Sequence, residues 1–541
     1  MARGAPVLTG TMRLAKIVTA CGLLMLSVGI RAQDATYTVS GSVVNSVTGE
    51  PIPHALVQLV GRNGDAELTD ADGHFEFDGL SGARAGVVAR KPGFFSELEA
   101  SDGQGMFAPT RVALQADTPS VVVKLVPESV IFGHVTSNGE PMENVPVKLL
   151  RMHVFDGLRR WELSGNTTSD ADGEFRIANL IPGTYLAAFG PGSEGGTPMT
   201  GSTTRGRGYA EIFFPSAADL ASAAPIELVA GQQFEADVSI KSGVMYRLSG
   251  TVSGYSPELP VTLMLITNAG ETLPLQVAFN EKSGQFQAET SAGSYTLRAE
   301  QFAQESTSQA DSPIAINSDT AGIRLVLQPA ASIPVNVRTE VSDAHSKAMA
   351  QSGAPVSVRL TSSVPSFSAL EYVSMPDGPP NHSQMIRDVD PGKYYADVSA
   401  QDPYYVQSAQ CGGVDLLHDD LSIVAGSRVA PIEVVLRDDG GTVTGTVNNG
   451  DAPRGAVFLV SDRNPRQTRM SPERGSFRFT AVAPGDYSVF AIDNGRRLEY
   501  TNPEALAPYL AKAAHVTVSP NGGVSVPSLE LANTDAVNAA K

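Results

Sequence analysis

Five times along this chain an apolar run closes on a glycine turn. The turns are Gly79-Leu80-Ser81-Gly82, Leu180-Ile181-Pro182-Gly183-Thr184-Tyr185, Ser291-Ala292-Gly293-Ser294-Tyr295, Val389-Asp390-Pro391-Gly392-Lys393-Tyr394 and Val482-Ala483-Pro484-Gly485-Asp486-Tyr487. Counted on their last glycines, successive turns stand 93 to 110 residues apart in a chain of 541 residues. That spacing is the length of one small β-sandwich. Where Pro precedes Gly, Pro presets the first turn position and Gly supplies a positive φ at the next, so the pair predicts a type II turn. The tyrosine that follows in four of the five is expected in the core, its hydroxyl tied to a nearby backbone group.

Each repeat also opens on an alternating strand, most with an internal glycine: Tyr37 to Val43, Ile131-Phe132-Gly133-His134-Val135, Leu248-Ser249-Gly250-Thr251-Val252 and Val443-Thr444-Gly445-Thr446-Val447. Period-two alternation with a central Gly describes an antiparallel strand with a bulge or a close backbone approach. The fourth repeat departs, since Ile333-Pro334-Val335-Asn336-Val337-Arg338 has no such glycine. Short runs such as Ala55 to Val60 and Val145 to Leu150 supply further strands. Helix is expected in two places: Asn502-Pro503-Glu504 makes a cap, first position and acidic first turn for a helix that Pro508 kinks or splits, and Ala217 to Ala223 makes a turn or two. With 52 Gly and 36 Pro, the predicted class is all-β, a tandem array of about five small Greek-key β-sandwich domains.

Lys and Arg number 39 against 57 Asp and Glu, a formal net charge of -18. A field of that sign repels phosphate backbones, so nucleic acid is excluded as a partner. Residues 1–32 carry Arg3, Arg13, Lys16 and Arg31, no acid, and an apolar run from Ile17 to Ile30 that is too short to span a bilayer. This reads as a signal peptide cut after Ala32. Val18 to Gly22 mimics a lipoprotein box, but most of the apolar run follows Cys21, so lipidation is not expected. No later run has transmembrane length. The expected address is therefore exported, periplasmic or at the cell surface. Loss of Cys21 leaves Cys411 without an intramolecular partner; it reads as a small half-buried hydrophobe, so disulfides do not hold this fold.

Val39 to Phe77, closing in Gly79-Leu80, resembles a carboxypeptidase regulatory-like domain, the transthyretin-like sandwich related to collagen-adhesin B-type repeats and similar in architecture to immunoglobulin-like sandwiches. The second repeat carries the same pattern in Gly139 to Val147 and in Thr168-Ser169-Asp170-Ala171-Asp172-Gly173-Glu174-Phe175. The last two repeats resemble the terminal portion of large exported bacterial proteins in Tyr405-Val406-Gln407, Gly412 to Asp415 and Asn502 to Tyr509. The resemblance implies carboxypeptidase regulatory-like β-sandwiches at 33–127 and at 128–243, the latter with a Gly-rich loop insertion. Further sandwiches follow at 244–330 and 331–440, and a C-terminal one with a short helical insertion at 441–541. It implies a folding or interaction module with a carbohydrate-binding-like fold, not an active site and no cofactor. The expected function is noncatalytic: a structural, adhesion or ligand-presenting protein whose partner is a protein or glycan at the cell envelope. The alternative is a carbohydrate-binding protein linked to polysaccharide uptake or degradation.

Asp70, Asp72, Asp170 and Asp172, in two Asp-Ala-Asp-Gly sequences, are the calcium candidates, because hard cations gather several carboxylate oxygens on one loop. An EF-hand count from Asp70 or Asp170 lands on Ser81 or Ile181 instead of an acid, and the plainer reading is a turn that returns Phe75 and Phe175 to the core. Trp161, the chain's single tryptophan, lies in an insertion-like loop from Phe155 and is the candidate platform for a sugar face. Gly190 to Gly208 lacks the ending of a phosphate-binding loop and reads as a surface loop. None of the eight histidines falls in a zinc-peptidase spacing, and no G-x-S-x-G elbow occurs. An intramolecular isopeptide bond would need Lys148, which has no partner evident in the sequence.

Overall fold

The computed structural model describes residues 36–532 apart from 61–64, 103–108, 116–117, 195–205, 304–305, 344, 346–354, 364–369, 377–383, 449–454 and 473–474. The expected leader 1–32 lies outside the described residues, as does the middle of the Gly190 to Gly208 stretch, whose flanks pair as short strands Gly192–Glu194 and Arg207–Tyr209. The chain is all-β, with many sheets and few short helices.

Five successive stretches each build a core of their own, and the opening strand takes the same place in each. Tyr37–Asn45, Ser129–Ser137, Tyr246–Ser253, Ala331–Glu340 and Gly441–Asn448 pair antiparallel with the strand that runs into the closing turn. On their other edge they pair parallel with the last strands of the same stretch. The remaining strands form a second sheet, and the apolar side chains of the two meet between them, for example Val39, Val57, Phe75, Val87 and Leu125 in the first stretch.

The glycine of the opening strand is a close-approach position. Gly41, Gly133, Gly250 and Gly445 stand opposite Phe75, Phe175, Phe286 and Phe477. A Cβ on Gly41 would lie 2.6 Å from Cζ of Phe75, far inside van der Waals contact, so the ring occupies the volume the glycine leaves. In the fourth stretch Val335 stands at this position and Gln384 opposite it. The large and small partners are exchanged, and the buried Gln384 amide is satisfied by the Ser374 hydroxyl and the Val356 carbonyl.

The closing turns differ from the type II expectation. Gly183, Gly293 and Gly485 have φ of 154°, 156° and 158° and already pair in the ladder, with Leu228, Ile316 and Val518. The left-handed residue comes earlier, at Gly79, Asn179, Asp388 and Ala481, where the pairing with the opening strand shifts register. A bulge thus does the bending that the Pro-Gly pair was expected to do. Three tyrosines meet their expectation: the hydroxyls of Tyr185, Tyr394 and Tyr487 donate to the carbonyls of Ile181, Asp390 and Ala483 at 2.7 to 2.8 Å; that of Tyr295 instead meets a side chain, the Ser291 hydroxyl, at 2.9 Å, with the Ala292 carbonyl farther off at 3.4 Å.

Helix Pro503–Leu510 is capped by Asn502, whose side chain accepts from the Glu504 amide, and it runs through Pro508 instead of splitting there. At Ala217 to Ala223 there is one short 3-10 turn, Leu220–Ser222, and a helix that the sequence reading did not foresee spans Glu97–Asp102. No helix among the described residues is long and apolar enough to cross a membrane.

Candidate functional site

Two strands of the second stretch are buried on both faces. Val147 and Leu149 point into their own core, while Leu150, Leu186, Ala188 and Phe213 form a second apolar layer on the outside. That outer layer includes Ala269 of the third stretch and Leu220. The fifth stretch repeats this: Phe458, Val460, Phe490 and Ile492 face outward and are covered by Leu498, Leu506 and Tyr509 of the helical insertion, with Tyr500 beside them. A sheet buried on both faces must be covered by a neighbour, and its strands read as unbroken apolar runs instead of alternation.

From the doubly covered sheet of the second stretch rises a long hairpin, Pro146–Phe155 and Leu158–Thr168. Its tip is a two-residue turn, Asp156-Gly157, with φ of 48° and 75° and Phe155 paired to Leu158. Two positive φ values match the I′ turn whose twist suits a tight hairpin. The insertion-like loop expected at Phe155 to Trp161 is therefore regular strand. Its outer half contacts two other stretches. Arg160 Nη1 binds Glu371 Oε1 at 2.5 Å and Arg359 Nη1 binds Asp156 Oδ2 at 2.7 Å. Arg159 pairs with Glu499, and the Gly157 carbonyl accepts from the Thr501 hydroxyl at 2.5 Å. Burial raises the Tyr500 hydroxyl and the Asp397 carboxyl above their ordinary ranges, both close to Asp156 and Arg359.

Other junctions are built the same way. Arg298 of the third stretch holds Asp311 at 2.7 Å and Asp390 of the fourth at 2.8 Å, and Asp390 also accepts from the Gln309 amide at 2.9 Å. Arg466 of the fifth stretch holds Asp420 of the fourth at 2.8 Å and stacks over the Tyr395 ring.

Trp161 stands half-buried on this hairpin, packed at the rim of the outer apolar layer. Asp70 Oδ1 accepts the amides of Asp72 and His74, and Asp170 Oδ1 those of Asp172 and Glu174, at 2.8 to 3.0 Å, so the first carboxylate of each pair holds its own turn. Cys411 is buried with Sγ directed at the Ala430 carbonyl, and burial raises its thiol above the usual range. Lys148, without an evident partner in the sequence, pairs with Glu271 of the third stretch.

The cluster that sequence spacing missed lies across three adjacent strands of the second stretch. His134, Glu235 and Asp237 place one ligand atom each within 4.8 Å of one another, and Glu174 lies 3.6 Å from His134 Nε2. The hydrogen bond to Asp237 raises His134 above the usual histidine range. These residues could hold a divalent cation or keep a proton on the imidazole. Glu174, Glu235 and Asp237 stand 40, 101 and 103 positions after His134 in the chain, and strand pairing brings them to it.

Residues 38–122 match the carboxypeptidase regulatory-like domain. No curated protein matches the chain. Among solved structures, the Bacillus anthracis TIE protein is similar at 11% identity and a TM-score of 0.18 over 54% of this chain and 50% of its own, so the match spans half the length of that protein. The minor pilin GBS52 of Streptococcus agalactiae is similar at 14% identity and a TM-score of 0.19, over 38% of this chain and 96% of its own. A streptococcal ancillary pilin is similar at 12% identity and a TM-score of 0.19, over 55% of this chain and 100% of its own.

Proposed function

We propose that this chain is a noncatalytic structural or adhesion protein, exported to the periplasm or cell surface, whose five sandwiches (33–127, 128–243, 244–330, 331–440 and 441–541) act as one stiff body for a protein partner of the envelope. The observation that carries this reading is the hairpin Pro146 to Thr168. Its arginines, its acid and its tip carbonyl contact the fourth and fifth stretches. Side chains that in a binding cleft would meet a ligand here meet neighbouring modules. Loops at the free ends of stiff sandwiches can then recognise a partner at fixed spacing.

The test sets purified chain against isolated cell envelopes, intact and stripped of polysaccharide, and against a glycan array. Retention on stripped envelopes with silence on glycans supports the proposal. Glycan binding abolished by Trp161→Ala would replace it with the sugar-binding alternative.

A further inference from the structure

The junction between the second and third stretches contains charged groups that none of these contacts explains. Lys148, from the hairpin strand Pro146–Phe155, pairs with Glu271 in the turn after strand Thr262–Thr267. Glu211, between strands Arg207–Tyr209 and Ile212–Phe213, is 8% exposed and lies beside that pair. Glu211 Oε1 and Glu271 Oε2 are buried without a hydrogen-bond partner. The Thr267 hydroxyl also faces Glu211, and Tyr295, itself tied to Ser291, is a further titratable group within electrostatic reach.

Two carboxylates and one ammonium cannot all be charged here without leaving a net negative charge away from water, which is costly. A proton on Glu211 removes that charge and supplies a donor toward Glu271. We propose that Lys148, Glu271 and Glu211 form a proton-operated latch: the junction is closed while Glu211 is protonated and loosens when it is ionised. An exported protein meets the pH of its surroundings, so such a latch would couple its stiffness to that pH.

The sign follows from the acid itself. Burial, then the nearby Glu271, raise Glu211 from 4.5 to about 7. A carboxyl released from the junction returns to the lower value, so protonation favours the closed form at low pH. That advantage is lost as pH rises toward 7 and is gone above it.

The test is hydrogen exchange on the full mature chain between pH 5 and pH 8.5, corrected for intrinsic rates and read at residues 207–213 and 262–273. The opening equilibrium should rise about 40-fold between pH 5 and 7 and level off after roughly a further twofold rise. Glu211→Gln, which keeps a neutral donor, should be flat across the range. Glu271→Gln removes one of the two upward influences and should move the step to lower pH, which keeps the test decisive if Glu211→Gln does not fold. A flat wild-type profile, a step that survives in Glu211→Gln, or a step unmoved in Glu271→Gln would overturn the latch.

Discussion

Gly157→Ala probes the contact between the hairpin tip and the fifth stretch. Gly157 has φ of 75°, and a Cβ there would lie 2.6 Å from Cδ2 and Cε2 of Tyr500. Placing alanine in the left-handed region costs about 1–2 kcal/mol. Carbon atoms rest about 3.5–4.0 Å apart, so the ring must retreat by roughly 1 Å. It cannot do so freely, because it sits against Phe458, ring centres 5.8 Å apart, and crowding of this kind costs about 1–3 kcal/mol more. Gly139→Ala is the matched control. It has φ of 87°, lies in another two-residue turn of the same stretch and has nothing within 4 Å of its Cβ, so it carries the backbone cost alone. The difference between the variants, about 1–3 kcal/mol, is a roughly 5- to 150-fold weaker docking of the tip. Trp161, on the same hairpin, is the fluorescence reporter: Gly157→Ala should shift its emission to the red and lower the midpoint of the first thermal transition, and Gly139→Ala should lower the midpoint less and leave the emission in place. Identical behaviour of the two variants would refute the docking of Tyr500 on Gly157.

The Val335 and Gln384 exchange predicts that Gln384→Phe alone is destabilising through overpacking, while Val335→Gly with Gln384→Phe recovers about 1–3 kcal/mol in a double-mutant cycle by urea unfolding. Arg298→Met leaves Asp311 and Asp390 facing each other without a cation and should cost about 3–5 kcal/mol at that junction, read as increased hydrogen exchange of residues 307–311 and 388–390. Tyr487→Phe removes the bond to the Ala483 carbonyl and should lower stability by about 1 kcal/mol. Burial pushes the Tyr487 hydroxyl up to about 12, above its ordinary value of 10, so folding keeps it protonated. Stability from this group is complete below pH 10 and lost as pH rises toward 12, and the difference in absorbance at 295 nm between the native chain and Tyr487→Phe should show its ionisation near pH 12.

The sandwich topology was legible because it is written locally. Turn glycines, opening-strand glycines and tyrosines recur at one spacing, and the structure gives most of them the work their chemistry suggests. The turn type was misassigned because Pro-Gly signals a bend without saying which residue makes it; Asn179, Asp388 and Ala481 adopt the left-handed conformation in bulges that no dipeptide marks. The junctions were not legible. Arg160 and Glu371, or Lys148 and Glu271, are far apart in sequence and meet through packing alone. One signal was present: Tyr185 to Phe189 and Ala456 to Val460 are continuous apolar runs, and a strand without alternation needs cover on both faces. His134 gave no spacing signal with Glu235 and Asp237 because strand pairing, not sequence proximity, brings it to them.

The contacts at the hairpin tip hold the hairpin of the second stretch and the helical insertion of the fifth as one body. Spin labels at Glu162→Cys and Glu504→Cys, both at exposed positions, in a chain lacking Cys21 and Cys411, give the distance between hairpin and helix by pulsed electron paramagnetic resonance. A single narrow distribution, broadened by Gly157→Ala, is the predicted result. A broad distribution in the otherwise native chain would show modules moving independently and would contradict the account.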